Sequence, residues 1–258
     1  MTGSGDLLVE VEGEIATVTL DKPERRNSQT PALWRELAAI GADLVDRVRV
    51  VIVRGNGEAF SAGLDRALLS GEGIEGEQSI PALMAEADET IDAVIDEFQQ
   101  GFRWLHDPRI VSIAAVHGYA IGGGFQLALA CDLRVVADDV RFCMKEPALG
   151  IVPDLGGTHP LVAAVGYARA LEICATARYV DAAESVAIGL ALTAVPREQL
   201  DATARDLATA VLATSAGAVR ETKWLLGQAA ENDLDDQRAL ERAAQLRRFE
   251  ELRGVPRG

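Results

Sequence analysis

Apolar and polar side chains alternate through LLVEVEGEIATVTLD (7–21) on both sides of Gly13, a period of two that predicts a β-hairpin. The period then lengthens. In TPALWRELAAIGADLVDR (30–47) apolar residues recur at helical spacing, with Thr30 placed as N-cap and Pro31 at the first helical position. VRVVIVRG (48–55) reads as a buried strand of β-branched residues ending in a glycine turn. A second unit repeats the order: RIVSIAAV (109–116) as strand, a glycine triplet with FQLALAC (125–131) as helix, and LRVVAD (133–138) as strand. Strands alternating with helices predict an α/β core with crossover connections. From Pro196 onward the pattern is helical only, through segments 197–214, 216–230 and 234–253. Two regions are therefore expected, a core over 1–195 and a helical C-terminal region over 196–258.

Composition narrows the setting. Of 258 residues, 48% are apolar and 25% charged, ordinary for a globular chain with a full core, and the net charge is −15. Such a surface repels nucleic-acid phosphates and anionic membranes, so neither is expected as a partner. Lys22, Arg25 and Arg26 in DKPERRNS form a local basic cluster that can still meet a small anion. Apolar runs are interrupted by glycine and histidine, which argues against a membrane span, and the N-terminus lacks the pattern of a signal peptide. Cys131, Cys143 and Cys174 have no metal-ligand spacing and are expected as reduced thiols of a cytoplasmic protein, with no metal site.

Four segments carry candidate chemistry. GEGIEG (71–76) copies a dinucleotide fingerprint, but DRALLS before it is helical rather than a strand and Pro81 interrupts the residues after it, so a loop is expected there. AFSAG (59–63) comes within one residue of a hydrolase nucleophile elbow; Ser61 lacks an evident triad among His106, His117 and His159. AFSAGLD (59–65) and GYAIGGGFQ (118–126) each follow a strand, where small residues and helix-start amides suit an oxyanion. MKEPALGIVPDLGG (144–157) sets Glu146 and Asp154 among apolar neighbours, as a general base with a raised pKa requires.

Together these segments resemble the crotonase (enoyl-CoA hydratase/isomerase) superfamily. The resemblance rests on Phe60, Ala62, Gly63, Leu64 and Asp65; on Gly118, Gly122 to Gly124, Leu127, Cys131 and Asp132; on KEPALGIVPDLGG; and on KPERRNS. It implies a spiral of β-β-α repeats with a C-terminal trimerisation region and a homo-trimer or hexamer. The implied ligand is an acyl-CoA thioester; no separate cofactor is expected, since coenzyme A belongs to the substrate. By position, the N–H groups of Leu64 and Gly123 would hold the thioester oxygen, and Lys22, Arg25 or Arg26 would meet the CoA phosphates. Ala62, Asp65, Gly122 and Gln126 are implied in the substrate site, and Arg248 and Phe249 are candidates for a contact from a neighbouring subunit.

One departure matters most. Hydratases of the family carry glutamates at the positions of both Gln126 and Glu146, and an amide takes no proton at neutral pH. Gln126 is left either to hold a water or to satisfy a core hydrogen bond. Double-bond isomerisation needs a single base, so isomerisation is the favoured activity, with Glu146 as principal base and Asp154 as second carboxylate. Hydration, another crotonase-type reaction, and acyl-CoA binding without turnover are the alternatives. The acyl pocket is expected from 68–81 and the helix starting near Ala85.

Overall fold

The computed structural model describes residues 5–70 and 73–254. The hairpin is present as β1 (Leu7–Glu12) and β2 (Ile15–Leu20), closed by Gly13 and Glu14 with Gly13 at φ +61°. Positive φ at a two-residue loop matches the twist of the flanking strands. After a 3-10 turn over Pro23–Arg25 come β3 (Ser28–Gln29) and α1 (Pro31–Leu44). Thr30 Oγ1 accepts from Leu33 N at 3.2 Å, satisfying one of the helix-start amides that have no intrahelical acceptor. Next in the chain are β4 (Val50–Gly55), β5 (Gly63–Leu64), α2 (Arg66–Leu69), α3 (Ile80–Leu83) and α4 (Asp88–Arg103). Residues 71 and 72 of GEGIEG lie outside the described residues; the segment before them is helix, as α2, and no strand leads into it.

The second half contains β6 (Val111–Val116), β7 (Tyr119–Ile121), α5 (Gly123–Ala130), β8 (Leu133–Ala137) and β9 (Arg141–Cys143). A 3-10 turn over Glu146–Leu149 leads to α6 (Thr158–Val165), α7 (Tyr167–Thr176), β10 (Val180–Asp181), α8 (Ala182–Ala187) and β11 (Thr193–Val195). Three helices end the described residues: α9 (Leu200–Leu212), α10 (Ala216–Gln228) and α11 (Leu234–Leu252).

The main sheet has the order β1-β2-β4-β6-β8-β11, parallel except for the hairpin. Each of β2, β4, β6 and β8 is followed by a short strand outside that sheet (β3, β5, β7, β9) and then by a helix, so the chain winds as repeated β-β-α turns. Alternate residues of the central strands enter two separate cores. Val51, Val53, Ala114, Val116 and Val136 pack with α1, α4 and α5, while Val50, Ile52, Ile113, Ala115 and Val135 pack with Leu200, Ala204 and Ala208 of α9. Covering both faces is why these strands read as unbroken apolar runs.

The helical region expected from residue 196 therefore divides. Helix α9 is a layer of the core, whereas α10 and α11 pair with each other through Arg247–Glu221 (2.6 Å) and Gln237 Nε2 to Leu225 O (3.0 Å). Helix α10 is tied to the sheet by Lys223, whose Nζ donates to the carbonyls of Asp107 (2.9 Å) and Ile110 (2.8 Å) and to Asp132 Oδ2 (2.7 Å).

Candidate active site

The segment entering β5 is held by Asn27, a buried residue at φ +53°. Its Nδ2 donates to the carbonyls of Asn56 (2.9 Å) and Ala59 (2.7 Å), and its Oδ1 accepts from Lys22 N (2.9 Å). Ser61, also buried, donates from Oγ to Asn27 O (2.7 Å) and accepts from Gln29 Nε2 (3.1 Å) and Gly63 N (3.2 Å). With its hydroxyl hydrogen on a backbone carbonyl and no histidine among its partners, Ser61 is a turn-building residue and the nucleophile-elbow reading is discarded.

The two glycine turns lie side by side. Ser61 N donates to Tyr119 O (2.9 Å) and Ile121 N to Ser61 O (3.0 Å). Asp65 N donates to Gln29 O (2.8 Å) across the parallel β3–β5 ladder, so the preceding amide, Leu64 N–H, faces away from β3. A Cβ on Gly63 would stand 3.2 Å from Gly123 N, which measures how near the two turns come. Gly123 N is a first-turn amide of α5, where the first helical bond is Gln126 N to Gly122 O (2.9 Å), so it has no intrahelical acceptor. The triplet is needed as glycine: Gly122 sits at φ +53°, ψ −120°, and a Cβ on Gly124 would press to 2.5 Å from Ser61 O.

Leu64 and Gly123 both line a cavity of about 680 Å³. Of the residues singled out by sequence, Arg25, Arg26, Ala62, Leu64, Asp65, Gly122, Gly123 and Glu146 line it. Lys22, Gln126 and Asp154 are not in its wall. Lys22 is instead engaged with Asp6 at 2.8 Å, and Arg248 and Phe249 lie on α11, away from the wall. Asp65 turns inward: it caps α2 through Ala67 N (3.1 Å) and accepts from Ser28 Oγ (2.7 Å) and Arg25 (2.9 Å). Burial pushes its carboxyl up, but these hydrogen bonds and the Arg25 charge bring it below the usual carboxylate range. Asp65 thus orders the cavity rim while Arg25, half-exposed, points a cation there.

Glu146 begins its 3-10 turn buried, with Oε1 receiving Gln126 Nε2 at 2.6 Å and Oε2 buried without a hydrogen-bond partner. Burial drives its pKa upward, and the Gln126 amide only partly offsets this. Asp154 is also raised by burial, and its charge adds to the upward push on Glu146. Gln126, buried in α5, bonds to the protein through both ends of its amide: Nε2 donates to Glu146, and Oε1 accepts from Leu155 N (2.9 Å) and Gly157 N (3.3 Å). Core hydrogen bonding, one of its two open readings, is present.

Several wall residues had no role of their own in the sequence reading, although some lie inside its motifs. Tyr119 and Tyr179 line the cavity with ring centroids 6.2 Å apart, joined by Lys145, Arg66, Leu149 and Ile151. Tyr119 and Lys145 flank motif residues and could have been found by that adjacency, whereas Tyr179 arrives from the α7–β10 junction with no local signal. Of the loop and helix assigned to the acyl pocket, Leu69 reaches the wall; Phe98 and Phe102 of α4 pack on Trp34 in the core.

The profile of the enoyl-CoA hydratase/isomerase family matches residues 10–253, nearly the whole chain. The chain belongs to that family. A crystal structure of a candidate enoyl-CoA hydratase from Thermobifida fusca YX in complex with CoA is 47% identical, covering 97% of this chain and 95% of that one, with a TM-score of 0.91. The corresponding complex with acetoacetyl-CoA is 48% identical with a TM-score of 0.92, covering 96% of each chain. The short-chain-enoyl-CoA hydratase of Clostridium acetobutylicum is 30% identical over 243 residues, 93% of this chain and 87% of the relative. The fold of this enoyl-CoA hydratase/isomerase family member is accordingly the crotonase spiral. Among the described residues, no group of three or more His, Cys, Asp or Glu is placed to hold a metal ion, and no helix is long and apolar enough to cross a membrane.

Proposed function

We propose that the protein acts on an acyl-CoA thioester, polarising its carbonyl with the N–H groups of Leu64 and Gly123 and moving a proton with Glu146. The observation that carries this reading is that both glycine turns and the buried carboxyl group of Glu146, one oxygen of which has no hydrogen-bond partner, border a single cavity. The CoA and acetoacetyl-CoA held by the Thermobifida structures support the ligand class. Negative charge developing on the thioester oxygen meets preorganised backbone dipoles, where one such donor is typically worth about 10²–10³ in rate. Arg25, Arg26 and Lys145 give the cavity a positive rim for an anionic carrier inside a protein of net charge −15.

Isomerisation is the reaction this arrangement favours. Glu146 takes the α-proton of a 3-enoyl thioester, the electron pair delocalises over a dienolate whose oxygen lies on the two amides, and the same proton is returned at the γ-carbon. The product is the conjugated 2-enoyl thioester, and no atom is gained or lost. Hydration is favoured instead by the names of the relatives, but its water would have one carboxylate to orient it, because Gln126 is engaged with Glu146, Leu155 and Gly157. Incubation with a 3-enoyl-CoA should raise the ultraviolet absorbance of the conjugated thioester, faster than crotonyl-CoA loses its own. Glu146→Gln should lower turnover about 10²–10⁴-fold while the thioester still binds. Hydration outpacing isomerisation, or full activity of the variant, would overturn the reading.

A further inference from the structure

We propose that Gln126 is a positioning residue whose amide, held in one orientation by the loop after Glu146, binds Oε1 and so leaves Oε2 as the oxygen that exchanges a proton with the ligand. The inference rests on Glu146 being the base but concerns what governs that base. Leu155 N and Gly157 N both point at one terminal atom of Gln126, at 2.9 and 3.3 Å. Two N–H donors require an acceptor, so that atom is the amide oxygen and the NH2 group faces the carboxylate. Reversing the amide would set N–H against N–H on one side and oxygen against oxygen, 2.6 Å apart, on the other.

The consequence for Glu146 is an asymmetry between its oxygens. Oε1 accepts a charge-assisted hydrogen bond, whereas Oε2 is buried with no partner. A lone buried carboxylate oxygen is a costly arrangement for structure alone and a useful one beside a ligand's carbon-bound hydrogen. The carboxyl group lies over the glycine triplet, since a Cβ on Gly122 would meet Oε1 at 3.2 Å and Oε2 at 3.6 Å. The groups facing it are Gln126 from α5, Asp154 from the following loop, Cys143 from β9 and Cys174 from α7, with Lys145 adjoining. None of the first four is a cation, so the Gln126 amide is the neighbouring side chain that favours the ionised form. The same residue spans the Asp154 loop, whose carbonyl at 154 receives Gln99 Nε2 from α4 (2.7 Å), so the base and its covering loop share one support.

Titration of Glu146, followed in ligand-free protein by ¹³C-carboxyl NMR and assigned by the signal missing in Glu146→Gln, tests this without any substrate. Gln126→Leu should raise the Glu146 midpoint by about one pH unit or more, because burial and Asp154 are then opposed only by backbone N–H groups of the 145–146 turn. Gln126→Glu retains acceptors for Leu155 and Gly157, which keeps a foldable variant in hand, and places two carboxyl groups in contact. That pair should titrate in two steps, the upper well above the wild-type midpoint. The acid limb of the pH–rate profile should move with the NMR midpoint while KM stays within about twofold, a pattern that mere loosening of the loop does not produce. An unshifted Glu146 midpoint in both variants overturns the positioning role. A shifted midpoint with an unmoved rate profile upholds it and overturns Glu146 as the base.

Discussion

Gly122, Gly123 and Gly124 beside the cavity are fixed by backbone geometry, whereas the neighbouring Glu146 is held through a side-chain bond from Gln126. The amide side is bound into the fold at many points, through the Asn27 and Ser61 networks and the strand pairing of the two turns. The acid side hangs on one carboxamide and two backbone amides of a loop. On the proposed function, polarisation of a carbonyl would be a property of the main chain, costly to alter, while proton handling would be set by residues that a single substitution changes. One fold can keep the first and vary the second.

The sharpest way to break that comparison is Gly124→Ala. Its new Cβ would lie 2.5 Å from Ser61 O, a backbone atom that cannot step aside. Loss of about 3 kcal/mol is expected, together with most activity, read by thermal melting and turnover. A variant as stable and active as the parent would refute backbone rigidity on this side. Asn27→Ala comes next, since it strips hydrogen bonds from the buried carbonyl of Ala59 and from Lys22 N; about 2 kcal/mol should be lost in urea unfolding. Unchanged stability would make the Asn27 network incidental.

Glu146→Gln should perturb stability least, and in a pH-dependent way. The folded-state pKa of Glu146 lies above its unfolded value, so its favourable contribution is complete at acid pH and is lost as pH rises through the raised pKa. Glutamine never pays for ionisation in a buried place. The melting temperature of the variant relative to the parent should therefore climb between acid and neutral pH, by an amount small beside the effect at Gly124. A flat difference would mean that Glu146 is solvated like a surface carboxylate.

Local patterns announced much of the architecture. The hairpin around Gly13, the Thr30–Pro31 helix start, the apolar strands and the two glycine turns all come from neighbours in sequence, which is where period and capping operate. The crotonase resemblance added order, since the motifs at 60–65, 118–132 and 145–157 come from separate repeats. What sequence left open depends on contacts between distant residues. Gln126 meets Glu146 twenty positions away and Leu155 twenty-nine away, and nothing in FQLALAC states whether its amide finds water or protein. DKPERRNS reads as a cationic turn, yet Lys22 is engaged by Asp6 and the residue that organises the site is the neutral Asn27. Helix α9 likewise has the same pattern as α10 and α11, yet it is α9 whose Leu200, Ala204 and Ala208 join the buried cluster on the sheet.

Lys223 gives the C-terminal region a meaning beyond assembly. Its ammonium stands where the carbonyls of Asp107 and Ile110 and the carboxylate of Asp132 converge, at the root of the strand that leads to Tyr119 and the glycine triplet. Cutting the chain before this lysine would leave an anion and bare carbonyls without their counter-cation at the foot of β6. The tail is therefore a counter-charge to the foot of β6 rather than an appendage, and a shortened protein ending near residue 196 is expected to be less stable than the full chain.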